Sequence, residues 1–421
     1  MAPPPLETPL PTSAGSRLRS AEELSDYVAR IGGLLARYGC PAYRIETLIR
    51  LVGEIEGHEA EAFALPTGLF VTVTPRGTGI APVHRMVRLR EWGVDLDKLL
   101  FVDRVFNEVA ADRRTIEDAR VALTDVEHRP PPYGPVVSFL ATGATSAGAA
   151  VFFQGGLLEA ALATVLGLSV HGLSVVLARH PQGRFLLDFL GAFLCATAAV
   201  TFATAFGAAR NVLLLAGMIT LFPGMTLTTG LAEVAMKNLV AGGARLMEAL
   251  VTFLALLFGI GLSQWIAVAA QLGAVAPAPE PLGIPAQIAA TVVLALGFGV
   301  AFRIPRALLW AAIVSCAVSW TVTLLGQAYL APHVAAFLAA TAVCSGANAL
   351  ARLTDRPAQL YQLPGMMLLV PGSLGFTALE GLLQGSWLAG AERLVSMLLI
   401  AGGLVMGVLL ANVLVPPKKV L

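Results

Sequence analysis

From residue 134 onward the chain is written in apolar runs of about twenty residues, separated by short polar punctuation. A helix of roughly that length spans the ~30 Å hydrocarbon core of a bilayer. Ten runs are readable: 134–154, 157–178, 185–206, 211–234, 248–270, 285–302, 307–327, 333–351, 361–382 and 393–415. The run at 285–302 is short and leans on its flanks. Before residue 133 the pattern changes. Residues 21–38 and 42–57 carry apolar side chains at helical spacing, as in Tyr27, Ile31, Leu34 and Leu35. Between them Tyr38-Gly39-Cys40-Pro41 reads as a helix end and a restart. The stretch 63–74, rich in Phe, Leu, Val and Thr, predicts one strand, 83–91 a second, and 95–110 and 115–126 two further helices. The expected fold is a polytopic α-helical membrane protein preceded by a small α+β domain.

Composition supports that division. The chain is 56% hydrophobic and 13% charged over 421 residues, too little charge for a soluble protein of this size. Of 55 charged side chains, 35 fall within residues 1–132 and 20 in the remaining 289. The domains expected are a flexible leader at 1–20, a cytoplasmic α+β domain at 21–132, and five-helix membrane repeats at 133–271 and 285–421. The Pro/Ser-rich leader lacks the apolar core of a secretory signal. Cys40, Cys195, Cys316 and Cys344 form no CxxC pair, so neither a disulfide framework nor a metal site is expected. A net charge of +1 gives no reason to invoke nucleic acid, and Gly32-Gly33 lacks the context of a phosphate loop. No cofactor is expected.

Charge also orients the spans. With the head in the cytoplasm, the inside set holds Arg179, Arg184, Lys237, Arg245, Arg303, Arg306, Arg352, Arg356, Lys418 and Lys419. The outside set holds Arg210 and Arg393. Ten against two puts both termini in the cytoplasm and supports ten spans.

A repeat organises the membrane part. Gly217-Met218-Ile219-Thr220-Leu221-Phe222-Pro223-Gly224 returns 148 residues later as Gly365-Met366-Met367-Leu368-Leu369-Val370-Pro371-Gly372. Arg245-Leu246 returns as Arg393-Leu394 at the same offset. Proline deep in an apolar segment breaks helix. Five spans per half is an odd number, so the second half enters the membrane upside down. Two inverted five-helix repeats with matching broken helices are the architecture of alternating-access transporters. A channel, an enzyme and a scaffold are the alternatives.

The breaks set the candidate chemistry. A helix restarting after Pro223-Gly224 offers free amides to an anion, with Thr226, Thr228 and Thr229 as uncharged partners. Pro371, Gly372 and Ser373 repeat the arrangement, with Thr377 beyond. Glu233, an acid inside a span, either couples transport to protons or pairs with Lys237 four residues on. Glu380 sits one residue out of register with it. Glu159, after Gly155-Gly156, either lines an entrance or is solvated at a turn. His171 either relays a proton or is a satisfied interior histidine. Asn348 and Asp188 are candidates for holding helices together, and Gly143, Gly148 and Gly297-Phe298-Gly299 for close packing. In the head, Cys40 and His58 read as structural rather than as a nucleophile and base. Arg44 and Glu46, two apart on a helix, point to separate neighbours.

Several phrases resemble those of the threonine/serine exporter, or ThrE-like, family. They are Gly39-Cys40-Pro41-Ala42-Tyr43-Arg44-Ile45-Glu46, Pro66-Thr67-Gly68, Gly155-Gly156 with Glu159, and Pro223-Gly224 through Glu233 to Gly242–Arg245. Arg356-Pro357-Ala358, leading to Pro371-Gly372, completes the set. The resemblance runs from about residue 21 to the end. It implies a fused two-half exporter in the bacterial cytoplasmic membrane, moving threonine and serine by the proton-motive force. Related split systems are associated with dicarboxylates such as succinate. Partners would then be a small amino acid, protons and the bilayer, with a homo-oligomer left open. A membrane-anchored hydrolase or regulatory scaffold is the further alternative. The chain departs from the family pattern at Ala232-Glu233, in place of an Arg-Asp dyad, and at Glu159, in place of the commoner Asp.

Overall fold

The computed structural model describes residues 20–77, 80–90, 93–111, 113–180, 182–271, 279–383 and 385–417. The proposed leader up to residue 19, and Lys418 and Lys419 of the charge count, lie outside these.

The head follows its periodicities. Helix α1 (Ala21–Arg37) starts on Ser20, whose hydroxyl accepts the Glu23 N–H at 3.2 Å. Helix α2 (Ala42–Ile55) follows the Gly39 turn, where φ is +96°. Strands β1 (His58–Leu65), β2 (Gly68–Pro75) and β3 (Val83–Arg88) form an antiparallel sheet in that order. Helices α3 (Leu96–Ala110) and α4 (Ile116–His128) close the domain. The inner face of β2, Leu69, Val71 and Val73, is buried with Tyr27, Ile31, Leu35, Ile45 and Ile49 of α1 and α2.

The single strand expected at 63–74 is a correction. That stretch is the hairpin of β1 and β2, with Leu65 paired to Gly68 across Pro66-Thr67. Proline has no N–H for a ladder, and β2 is the central strand, so Pro66 belongs in the turn. Glu59 and Glu61, on the exposed face of β1, hid the strand's beginning.

The body consists of α5 (Pro135–Phe152), α6 (Leu157–Leu177), α7 (Leu187–Phe206), α8 (Arg210–Gly217), α9 (Gly224–Ala235) and α10 (Leu239–Ala269). Then come α11 (Ile284–Ala301), α12 (Leu309–Gln327), α13 (Pro332–Thr354), α14 (Gln359–Leu369), α15 (Gly372–Leu383) and α16 (Trp387–Leu414). Shifting α9 by 148 gives 372–383, the bounds of α15, and shifting α10 gives a start at 387, that of α16. The chain is a polytopic α-helical membrane protein. Among the described residues, nine helical segments are long and apolar enough to cross a membrane. The expected span at 211–234 is not one of them, because it is two short helices, α8 and α9, joined by a turn. Residues 359–381 count as one segment although Val370-Pro371 interrupts it.

Two further expectations shift. Helices α10 and α16 begin before the expected 248 and 393, so Arg245 and Arg393 are helical, not loop, charges. Their charge made the first turns look like loop. Close packing is where the glycines predicted it. A methyl on Gly148 would lie 2.9 Å from Leu294 Cγ, and one on Gly297 would collide with Thr145, which brings α5 against α11. Asn348 donates to Asn412 Oδ1 at 3.0 Å and to the Val415 carbonyl at 2.8 Å, fastening α13 to the end of α16.

Candidate functional site

The two Pro-Gly breaks face each other. Helix α9 starts at Gly224 and α15 at Gly372, each just after a buried proline. A methyl on Gly224 would lie 3.5 Å from the Gly372 Cα and would collide with Val370 Cγ1. One on Gly372 would meet Phe222 Cβ at 3.1 Å. It is the Val370 and Phe222 side chains that crowd these glycines, while the two backbones stand at ordinary contact distance. The first amides of a helix have no partner within it, and the starts of α9 and α15 lie side by side here.

Beside the breaks lies a cavity of about 110 Å³. Gly224, Gly372 and Ser373 reach it from the breaks, and Phe152, Phe153, Phe222, Phe298, Met367 and Leu368 supply most of its apolar wall. It is smaller than the roughly 300–1,000 Å³ of drug-sized sites. Sequence reasoning found the glycines and Ser373 but missed the aromatic wall. The available signal was Phe298, flanked by glycines and read there as packing alone.

The threonines stand elsewhere. Thr228 is buried and donates to the Gly224 carbonyl at 3.0 Å, within its own helix. Thr226 and Thr229 are half-buried on α9 and are not part of the cavity wall.

Glu233 is fully buried and joins the head to the membrane body. Its Oε1 accepts the Ala42 N–H at 3.1 Å and its Oε2 accepts Arg245 Nε–H at 3.0 Å. Ala42 opens α2, which Pro41 leaves without a side-chain cap. An acid from the membrane body therefore caps a head helix, where the positive end of the dipole favours it. Lys237, the i+4 partner considered from sequence, is exposed with φ +70°. Helix α9 ends at Ala235, so the i,i+4 geometry does not exist there. Beside it, Glu46 accepts the Ala64 N–H at 3.0 Å and Asn238 Nδ2–H at 2.7 Å. Asp95 of the head pairs with Arg303 at 2.7 Å.

Cys40 and Arg44 share this junction. Burial pushes the Cys40 thiol up to about 12, and the groups acting on it are Arg44, Gln359, Glu233 and Arg245. Arg44 is buried, and its Nη1 has no hydrogen-bond partner among the described residues.

The remaining candidates are dispersed. Glu159 is buried and accepts N–H groups from Gly156 at 2.9 Å and Ala209 at 3.0 Å. It thus caps α6 and ties down the turn before α8, rather than being solvated. His171 shares a hydrogen bond with Thr142 Oγ1 at 3.0 Å and meets the Phe139 ring edge-on. Glu380 is half-buried on α15. Among the described residues no group of three or more His, Cys, Asp or Glu is placed to hold a metal.

Comparison with known proteins decides the family. The ThrE family model, described as "Putative threonine/serine exporter", matches residues 26–266, and a second, for "Threonine/Serine exporter, ThrE", matches 287–414. The chain belongs to the ThrE family. A ThrE relative from Corynebacterium glutamicum, named as a threonine/serine exporter, is 25% identical over 98% of this chain and 86% of its own length. An uncharacterized protein of Schizosaccharomyces pombe is 26% identical over 56% of this chain and 32% of its own. The "Pheromone-regulated membrane protein 10" of Debaryomyces hansenii is 25% identical over 56% and 24%. The chain thus spans about a third of the length of the fission-yeast relatives it matches. No solved structure matches.

Proposed function

We propose that this protein is a secondary exporter of small amino acids, with threonine and serine as substrates, working by alternating access and coupled to protons. The observation that carries the reading is the meeting of the two breaks around one small cavity between the halves. Converging helix N-termini suit a substrate carboxylate, and Ser373 and freed backbone groups suit its polar remainder. Among the described residues the cavity wall bears no charged side chain, which favours a zwitterion over a dicarboxylate.

Ten spans in two inverted halves fit the same geometry. Gln359, at the start of α14, and Glu233, near the end of α9, both adjoin head residues 40–42. The broken span of one half therefore runs toward the head and that of the other runs away. With the head cytoplasmic, the cavity lies between the two faces of the bacterial inner membrane. Glu233 is the proton group in this scheme. Protonation would weaken its hold on both Arg245 and Ala42, freeing α9 from the head as the cavity changes access. Glu380 and His171 remain the second-rank proton candidates, and Glu159 a gating residue at the opposite turn.

The test is counterflow of labelled threonine or serine in liposomes, with and without a pH gradient, and with succinate as competitor. Folded protein that moves neither amino acid under any gradient would falsify the reading. Competition by succinate stronger than by serine would change the cargo. Glu233→Gln should abolish the response to pH while exchange persists; an unchanged pH response removes Glu233 from coupling.

A further inference from the structure

The head sheet has one covered face and one bare one. Helices α1 and α2 bury Leu69, Val71 and Val73 of β2. On the opposite face Phe63, Phe70 and Met86 stand side by side, because Phe63 pairs with Phe70 and Phe70 with Met86. They are 49%, 45% and 66% exposed. Single exposed apolar side chains are ordinary, whereas a contiguous row of three large ones marks a contact surface.

The row sits at the end of the sheet nearest the membrane body. Helix α2 leaves the body at Ala42, beside Glu233, and β1 packs on α2 and runs back along it. Glu46 takes the Ala64 N–H on one oxygen and Asn238 on the other, so the neighbour of Phe63 is one carboxylate away from the start of α10. Polarity along the bare face follows distance from the body. Exposed Arg88, opposite Gly68, stands at the near tip, and the apolar row comes next. Glu61, Thr72 and His84 form the following row, and Glu59 and Thr74 lie farthest away.

The start of α10 marks the level of the lipid headgroups. Its 31 residues measure about 46 Å, against ~30 Å of hydrocarbon and roughly 40–45 Å with both headgroup layers. The first turn of this span therefore lies among headgroups, and there Leu239 and Val240 are exposed. We infer that the near end of the bare sheet face rests on the bilayer surface on the head's own side. Phe63, Phe70 and Met86 continue the lipid-facing surface that Leu239 and Val240 begin, and Arg88, on the same face, meets lipid phosphate. The head then has a second hold, on lipid, besides its bonds to the body through Glu233 and Asp95.

The four native cysteines are buried, so a nitroxide can be placed selectively on an introduced one. The experiment uses the full chain, one copy per nanodisc, in mixed phosphatidylcholine and phosphatidylglycerol. Met86→Cys labels the row and Glu59→Cys the far end of the same face; both native side chains are exposed. Power saturation then compares collisions with oxygen and with a water-soluble nickel chelate. The label at 86 should lose most of its nickel collisions and keep those with oxygen, while the label at 59 behaves as in water. Adding Arg88→Gln should restore part of the nickel access at 86 without moving the melting midpoint; no change overturns the phosphate contact. Equal access at the two positions overturns the placement on lipid. Shielding at 86 that appears only with two copies per disc also overturns it, and assigns the face to a second copy of the chain. Transport is not read out, so the result is independent of the export assay.

Discussion

Helices α9 and α15 each begin on a glycine just after a proline, and both are twelve residues long. Their far ends meet different surroundings. Near the end of α9, Glu233 is fully buried between Arg245 and the head helix α2. The register partner of Glu233, 148 residues on, is Gly381, which packs against Gly390 of α16. Glu380, one residue earlier, is half-buried, and Arg393 donates to the Thr377 carbonyl at 3.3 Å. One duplicated segment has thus become two devices. Both shape the cavity, and only the first also connects it to the head, which gives the pair an asymmetry that mutations can expose.

The largest expected difference is at the acids. Glu233→Ala leaves a mostly buried Arg245 unpaired and the Ala42 N–H without an acceptor, a loss of about 3–5 kcal/mol. Glu233→Gln keeps one acceptor and should cost about half as much. Glu380→Ala should cost less than Glu233→Ala, because Glu380 is half-buried and Glu233 fully buried. Denaturation of the purified variants in one detergent ranks the three. Equal losses at 233 and 380 would mean that the head contact carries no stability.

Next come the glycines. Gly224→Ala drives a methyl into Val370, whose branched Cβ allows few rotamers, so about 1–3 kcal/mol is expected. Gly372→Ala meets Phe222 Cβ at 3.1 Å and should cost less than half of that. Val370→Ala should rescue Gly224→Ala, and a double-mutant cycle on stability and export measures the coupling. Additive effects would separate the two breaks.

What could be read from the chain divides along the same line. The repeat, the periodicities and the glycine stripes are local patterns, and they located nearly every helix. The family phrases likewise marked Gly39–Glu46 and Pro223–Glu233. What sequence could not supply was that these two phrases touch. Ala42 and Glu233 lie 191 residues apart, and no periodicity encodes a contact at that separation. Lys237 seemed the partner of Glu233 because helical spacing was carried past Ala235, where the helix stops. The aromatic wall was illegible for a related reason: phenylalanine in a membrane span reads the same whether it faces lipid, a neighbour or a cavity.

The finest test concerns the two arginines that repeat at the 148-residue offset. Asn238→Ala, which removes a 2.7 Å bond to Glu46 at the head junction, should cost about 1 kcal/mol. Arg393→Gln should stay within about 0.5 kcal/mol, because its bond to Thr377 is exposed and water can replace it. The matching change, Arg245→Gln, strands the buried Glu233 carboxylate and should resemble Glu233→Ala instead. The informative variant is the pair Glu233→Gln/Arg245→Gln. Removing both charges together avoids an uncompensated ion, so stability should recover relative to Arg245→Gln alone. If stability recovers and the response to pH stays lost, the charge pair is a switch. If both recover, it is only a brace, and the difference between the two breaks is architectural.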